Sequence, residues 1–243
     1  MVLEGKVAVV TGGAVRVGRA ISMALAEAGC NLLIHYGSSA GPAQEAQSAA
    51  RRLGVEAHAY SANLADAQAT QTVIAAAVEH FGYVDVLVNN AALFLEGELA
   101  DTTLDMWETQ FAVNLRAPFL LSKDFAAQVP ADGRGAIINI NDARIFRPAP
   151  DHFAYRMTKS ALLAMTETLA HDLAPRIRVN AVALGAILPP PGEDESYLRN
   201  LAAERVPLRR AGSADIVAKN VIHLLRQSFV TGVTVPLDGG EFL

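Results

Sequence analysis

The chain has 243 residues, with 20 Lys and Arg against 25 Asp and Glu, for a formal net charge of −5. The basic residues are scattered, so no patch attracts nucleic acid and none is expected as a partner. Hydrophobic residues make up 51% of the chain, yet no run reaches the roughly 18–20 apolar residues that span a bilayer, so no membrane partner is expected either. The opening MVLEGKVAVV enters a strand with no basic segment or cleavage site, which predicts a soluble cytoplasmic protein. Cys30 is the only cysteine, so an intrachain disulfide is impossible and a buried small side chain is expected there. No metal site is expected.

In chain order, short Val/Ile-rich runs alternate with helical patterns. KVAVV is followed by a helix near 17–29, NLLIH by 42–53, EAHAY by 66–81 and DVLVNN by 103–129. AIINI is followed by a helix near 152–173, RVNAVA by a short helix and then 213–226, and VTVPL closes the chain. Unbroken apolar strands joined by helices indicate a parallel sheet covered on both faces. No linker or repeat divides residues 1–243, which predicts one doubly wound domain. Two connections are long, 143–151 and 185–192. Ligands of such sheets bind beyond the carboxyl ends of the strands. The second loop, with Pro189, Pro190 and Pro191 between Gly185 and Gly192, is therefore read as a substrate loop reaching to about 206.

The first strand runs into TGGAVRVG, residues 11–18. Gly12 and Gly13 permit a tight turn, Gly18 permits close approach of the next helix, and free amides at the helix start suit a pyrophosphate. The second strand ends in YGSSA with no carboxylate to hold an adenosine ribose. Ser38 and Ser39 can donate to a 2′-phosphate and Arg16 can add charge, which favours NADPH over NADH. Asn63, in SANLAD, is a candidate for the adenine. The small Asn90-Ala91 profile leaves room for a nicotinamide.

Tyr155 and Lys159 are four residues apart on one helix and share a face. A tyrosine near its usual pKa of about 10 is a poor acid at neutral pH, and a neighbouring ammonium is expected to lower it. Asn114, in QFAVNLRAPF, is either a satisfied core group or an organiser of a proton relay through Lys159.

Over essentially its full length the chain resembles the short-chain dehydrogenase/reductase family, through TGGAVRVG, NNAA, Asn114, YRMTK, RVNAVALG and TGVTVPLDGG. The resemblance implies a Rossmann-type, seven-stranded, three-layer αβα sandwich and a homotetramer built through the Tyr155 helix and the C-terminal strand region. It implies that Tyr155 is the general acid, that Lys159 holds the nicotinamide ribose, that Asn114 supports the relay, and that the pro-S hydride is transferred. Cofactor contacts are implied at Thr11, Gly12, Arg16, Val17, Gly18, Tyr36, Ser38, Ser39, Asn63, Leu64, Asn90, Ala91, Tyr155, Lys159, Gly185 and Ile187. The family's usual catalytic serine falls on Asp142, its central loop glycine on Arg16, and PG becomes Leu184-Gly185. TGxxxRxG with a strand-end Asp thirteen residues before the Tyr is similar to the pteridine reductase and dihydromonapterin reductase group. Phe94 matches the position at which that group stacks a pterin. A serine common there is Ala92 here.

An ionised Asp142 would repel the negative charge that develops on a ketone oxygen. Reduction of a C=N bond has the opposite need, because a carboxylate stabilises the cationic form of the acceptor or relays its proton. The expected substrate is therefore a dihydropterin or dihydrofolate-like compound, bound by Arg16, Phe94, Asp142 and Tyr155. A protonated Asp142 acting as a serine surrogate keeps a 3-oxoacyl-[acyl-carrier-protein] or other carbonyl reductase open, and a non-catalytic NADPH sensor is a third reading.

Overall fold

The computed structural model describes residues 1–190 and 192–243; Pro191, the last proline of the expected substrate loop, lies outside the described residues. The strands are β1 (Val7–Val10), β2 (Asn31–Tyr36), β3 (Ala57–Ser61), β4 (Val86–Asn89), β5 (Gly135–Asp142), β6 (Ile177–Leu184) and β7 (Thr234–Leu237). They pair in the order β3-β2-β1-β4-β5-β6-β7, and every described pairing is parallel. The order reverses between β1 and β4, which opens a crevice at the carboxyl ends of the strands.

Helices α1 (Arg16–Glu27), α2 (Ala40–Arg52) and α8 (Ala214–Arg226) cover one face. Helices α3 (Ala67–Phe81), α5 (Ala117–Gln128) and α6 (Phe153–Asp172) cover the other. The alternation of side chains along a strand explains how each strand serves both layers. In β1, Ala8 and Val10 join the α1/α2/α8 core, while Val7 and Val9 join the opposite one. Ile21 and Leu25 on α1 recur one turn apart and are fully buried, as are Leu121 and Phe125 on α5. Burying each such side chain contributes roughly 1.5–3 kcal/mol.

Local chemistry fixes several helix ends. The Asp66 carboxylate accepts from Gln68 N and Ala69 N at the start of α3, and Gly82 at φ 78° closes it. Asp194 caps α7 (Glu195–Arg205), an 11-residue helix where a short one is expected. The pattern at 103–129 is not one continuous α-helix. It comprises α4 (Leu104–Phe111), a π-helical turn at Ala112–Arg116, and α5. Cys30 is buried, donates to Leu3 O at 3.2 Å, and has its thiol pushed up to about 12 by burial.

Candidate active site

At the β1–α1 turn Gly12 takes φ 59°, a conformation open to glycine. Gly18 has no room for a side chain, since a Cβ there would lie 2.0 Å from Gly12 O and 2.6 Å from Asn90 Nδ2. The first turn of α1 carries no acidic residue, and its N-cap Val15 makes no side-chain cap, so its amides stay free for an anion. Thr11 and Asn90 act on the loop itself. Thr11 Oγ1 accepts from Asn90 N (2.9 Å) and Ala91 N (3.0 Å), and Asn90 Nδ2 donates to Thr11 O (2.8 Å) and Gly12 O (3.2 Å). Both are therefore already engaged in joining the end of β4 to the glycine turn.

A cavity of about 650 Å³ runs from this turn across the sheet end. Gly12, Arg16, Val17, Gly18, Asn90 and Ala91 line one end, and Phe94, Asp142, Tyr155 and Lys159 line the reactive part. Gly185 and Ile187 line it from the β6 side. Tyr36, Ser38, Ser39, Asn63 and Leu64 lie outside this cavity, along the β2 and β3 ends. Asn63 accepts Ala65 N on its side-chain oxygen at 3.0 Å, an Asx turn at the end of β3. Arg16 takes φ 52° and donates to Pro189 O at 2.7 Å. Its guanidinium thus ties the glycine turn to the substrate loop, where the sequence suggests a partner for Ser38 and Ser39.

The reactive part is built from β5 and α6. Asp142 ends β5, and its Oδ2 accepts the Tyr155 hydroxyl at 3.0 Å. Its Oδ1 accepts Arg144 N at 2.8 Å, capping the 3₁₀ turn Ala143–Phe146. Lys159 Nζ donates to Ile140 O at 2.8 Å and lies 5.6 Å from the Tyr155 ring centre. The expected lowering of the tyrosine pKa is not found. Burial first, then the charge and hydrogen bond of Asp142, hold the phenol well above its usual value, and only Arg144 opposes them. The lysine moves the other way. Burial lowers Lys159 to about 8, against the raising influence of Asp142.

Asn114 sits inside the π-helical turn, a feature that recurs at functional sites. Its Oδ1 accepts Leu93 N at 2.7 Å, while Nδ2 donates to Leu93 O at 2.9 Å and to Thr158 Oγ1 at 3.2 Å. The side chain therefore anchors the loop after β4 to α6 and does not touch Lys159. Phe94 follows on that loop. His152 stacks on its ring at 4.2 Å and 17°, and Tyr155 meets it edge-on at 4.7 Å. One face of the expected stacking ring is thus already covered.

Further contributors are invisible in the sequence pattern. Arg156, buried within YRMTK, donates to Asp151 Oδ1 (2.6 Å), Arg144 O (2.8 Å) and Arg147 O (3.0 Å), folding the 143–151 loop onto α6. His152, at φ 53°, supports Phe94 from the start of that helix. Glu241 and Phe242 line this chain's own cavity. Asp238 sets up that turn by accepting from Gly240 N (2.9 Å) and Phe242 N (3.3 Å). Burial pushes the Glu241 carboxyl up, countered by Arg144, the Ala186 backbone and Arg205.

A family model described as enoyl-(acyl carrier protein) reductase matches residues 13–241. A 3-oxoacyl-[acyl-carrier-protein] reductase of Staphylococcus epidermidis is 33% identical over 242 residues, 98% of this chain and 99% of that protein. Among solved structures, an alternative dihydrofolate reductase from Brucella canis complexed with NADP superposes with a TM-score of 0.94 at 32% identity, covering 99% of this chain and 95% of that one. A blue fluorescent protein from a metagenomic library, in complex with NADPH, gives a TM-score of 0.92 at 35% identity and covers 100% of both chains. With its 3-2-1-4-5-6-7 parallel sheet and a tyrosine–lysine pair at the strand ends, the chain belongs to the short-chain dehydrogenase/reductase family.

Proposed function

We propose that this oxidoreductase uses NADPH to reduce a C=N bond of a dihydropterin or dihydrofolate-like substrate. The observation that carries the reading is the Asp142 carboxylate, 3.0 Å from the Tyr155 hydroxyl, at the strand end where a neutral donor serves ketone chemistry. The dinucleotide fits the chain in three respects: a glycine turn with no space for a Cβ at Gly18, free amides at the start of α1, and a cavity continuous from that turn to Tyr155. The relatives solved with NADP and NADPH support the same cofactor. Gly12, Val17 and Gly18 would hold its diphosphate, Ser38 and Ser39 its 2′-phosphate, and Lys159 with Gly185 and Ile187 its nicotinamide half. The cofactor supplies the hydride.

The protein's residues manage the proton and the charge. Burial and the Asp142 carboxylate keep Tyr155 protonated, so its hydroxyl has a proton to give to the substrate nitrogen. As that nitrogen takes the proton, the C=N group gains positive character, which the Asp142 carboxylate stabilises. Lys159 supports the phenolate left behind and steers its reprotonation from solvent. Phe94, braced by His152 and lining the cavity, offers an aromatic wall to a planar ring.

The 3-oxoacyl reductase reading draws its support from the sequence relatives. NADPH oxidation measured in parallel with dihydrobiopterin, dihydrofolate and an acetoacetyl thioester decides between them. The highest kcat/KM is expected on a dihydropterin or dihydrofolate, and faster thioester turnover overturns the assignment.

A further inference from the structure

Near its carboxyl end, β2 holds a histidine inside the core. His35 is 2% exposed, and both of its ring nitrogens are engaged. Nε2 lies 3.0 Å from Ala62 O, a pure acceptor, so Nε2 carries the proton. Nδ1 lies 3.2 Å from Gly12 N, a pure donor, so Nδ1 offers its lone pair. The backbone adds a third tie, with His35 O accepting Gly13 N at 3.0 Å. A neutral imidazole in one tautomer thus spans the end of β3 and the glycine turn.

We propose that His35 is a positioning residue for the dinucleotide. Its neutral ring holds Gly12 in place, and a second proton on the ring releases the turn and weakens cofactor binding. A proton on Nδ1 would face the Gly12 N–H, donor against donor, inside the core. Gly12 has little freedom to retreat, because its carbonyl sits against Gly18 at the start of α1. Displacing it therefore moves the amides that meet the diphosphate.

Among the described residues, the Ala62 carbonyl is the group that favours the charged ring. Burial lowers the His35 pKa, and the Ala62 carbonyl opposes it. Before α3, the Asp66 carboxylate is committed to Gln68 N and Ala69 N. Arg116, at the end of the π-helical turn, is bound to Ala65 O. Tyr60, the register partner of His35 on β3, turns its hydroxyl to Thr72. Asn90, on the β4 side, is neutral and bound to Thr11 and Gly12.

The inference rests on the dinucleotide half of the function proposed above and is independent of the substrate. NADP⁺ binding is measured by calorimetry between about pH 5 and 8 for the wild type, His35→Asn and His35→Leu. The Asn Oδ1 reaches the position of Nδ1 and accepts from Gly12 without titrating. His35→Asn is expected to match wild-type affinity at the alkaline end within about threefold. On acidification the wild type is expected to lose affinity more steeply than His35→Asn, by up to about tenfold per pH unit, the signature of one linked proton. Protonation of the cofactor's own 2′-phosphate, near pH 6, is common to both proteins and cancels. His35→Leu is expected to bind at least about tenfold more weakly at every pH; a melting curve at each pH establishes that each protein is folded. Parallel wild-type and His35→Asn profiles overturn the role of His35, whether or not the leucine protein folds. A wild type that binds no NADP⁺ at pH 8 overturns the cofactor reading instead.

Discussion

Replacing Asp142 with serine isolates the feature on which substrate choice rests. Serine is a good cap for the turn at Ala143, so the Arg144 N–H keeps an acceptor and the backbone is expected to hold. What disappears is a carboxylate bonded to Tyr155 at 3.0 Å. A hydrogen bond to a charged group is worth roughly 1.5–3 kcal/mol. At about 1.36 kcal/mol per decade, that is roughly a 10- to 150-fold loss of kcat/KM on a dihydropterin if the full interaction acts in the transition state. A ketone or thioester substrate should keep its rate or gain, because the group that repels its developing oxyanion is gone. The pH profile gives a second readout. Asp142 raises Lys159, which burial holds at about 8, so the alkaline limb that Lys159 sets should move to lower pH in Asp142→Ser. Steady-state NADPH oxidation on both substrate classes across pH measures both effects. Equal losses on the two classes, or faster pterin turnover, would refute the role given to the carboxylate.

Gly18→Ala is expected to abolish measurable NADPH binding in a fluorescence titration and to cost about 1–3 kcal/mol of stability, since its Cβ meets backbone at 2.0 Å. Lys159→Met is expected to be inactive yet more stable at pH 7 by about 1–3 kcal/mol, read as a higher Tm, because a buried ammonium is removed. Sign and window follow from the lowered folded pKa: the wild-type penalty is present below about 8 and fades as pH rises towards the unfolded value, so the two Tm curves converge. Arg156→Leu removes the bonds of Arg156 to Asp151, Arg144 O and Arg147 O, while the half-exposed Asp151 keeps Arg144 and His152, and a loss of about 1–3 kcal/mol is expected by urea unfolding.

The sheet was legible because its strands are buried on both faces and read as unbroken apolar runs, and the tyrosine–lysine pair because helical spacing alone puts two side chains on one face. Interactions between segments distant in sequence were not legible. Arg156 looks like surface decoration in YRMTK until the 143–151 loop folds over it. The π-helical turn at Ala112–Arg116 changes the hydrogen bonding without a mark in composition, and it is what presents Asn114 to the Leu93 backbone. Glu241 enters the cavity through a turn with Gly239 at φ 62° and Gly240 at φ 89°, capped by Asp238. The DGG triplet signals such a turn but not its direction. Burial of the hydroxyl and its bond to the strand-end carboxylate reversed the expected shift of Tyr155.

These residues give the cavity an uneven charge pattern that bears on substrate choice. Asp142 and Glu241 both line it, and burial first, then the charge of Asp142, pushes the Glu241 carboxyl up. Arg144 relieves that repulsion from the rim: it lies 3.8 Å from Asp142 Oδ1 and 3.4 Å from Asp151 Oδ2, with its guanidinium 5.6 Å from the Phe94 ring centre. On the proposed reading, a flat heterocycle would bring N–H donors to this acidic wall beside Phe94, and an anionic tail on it would meet Arg144. On the proposed C=N reading, the same groups that make Tyr155 a reluctant acid call for a substrate whose nitrogen accepts the proton readily.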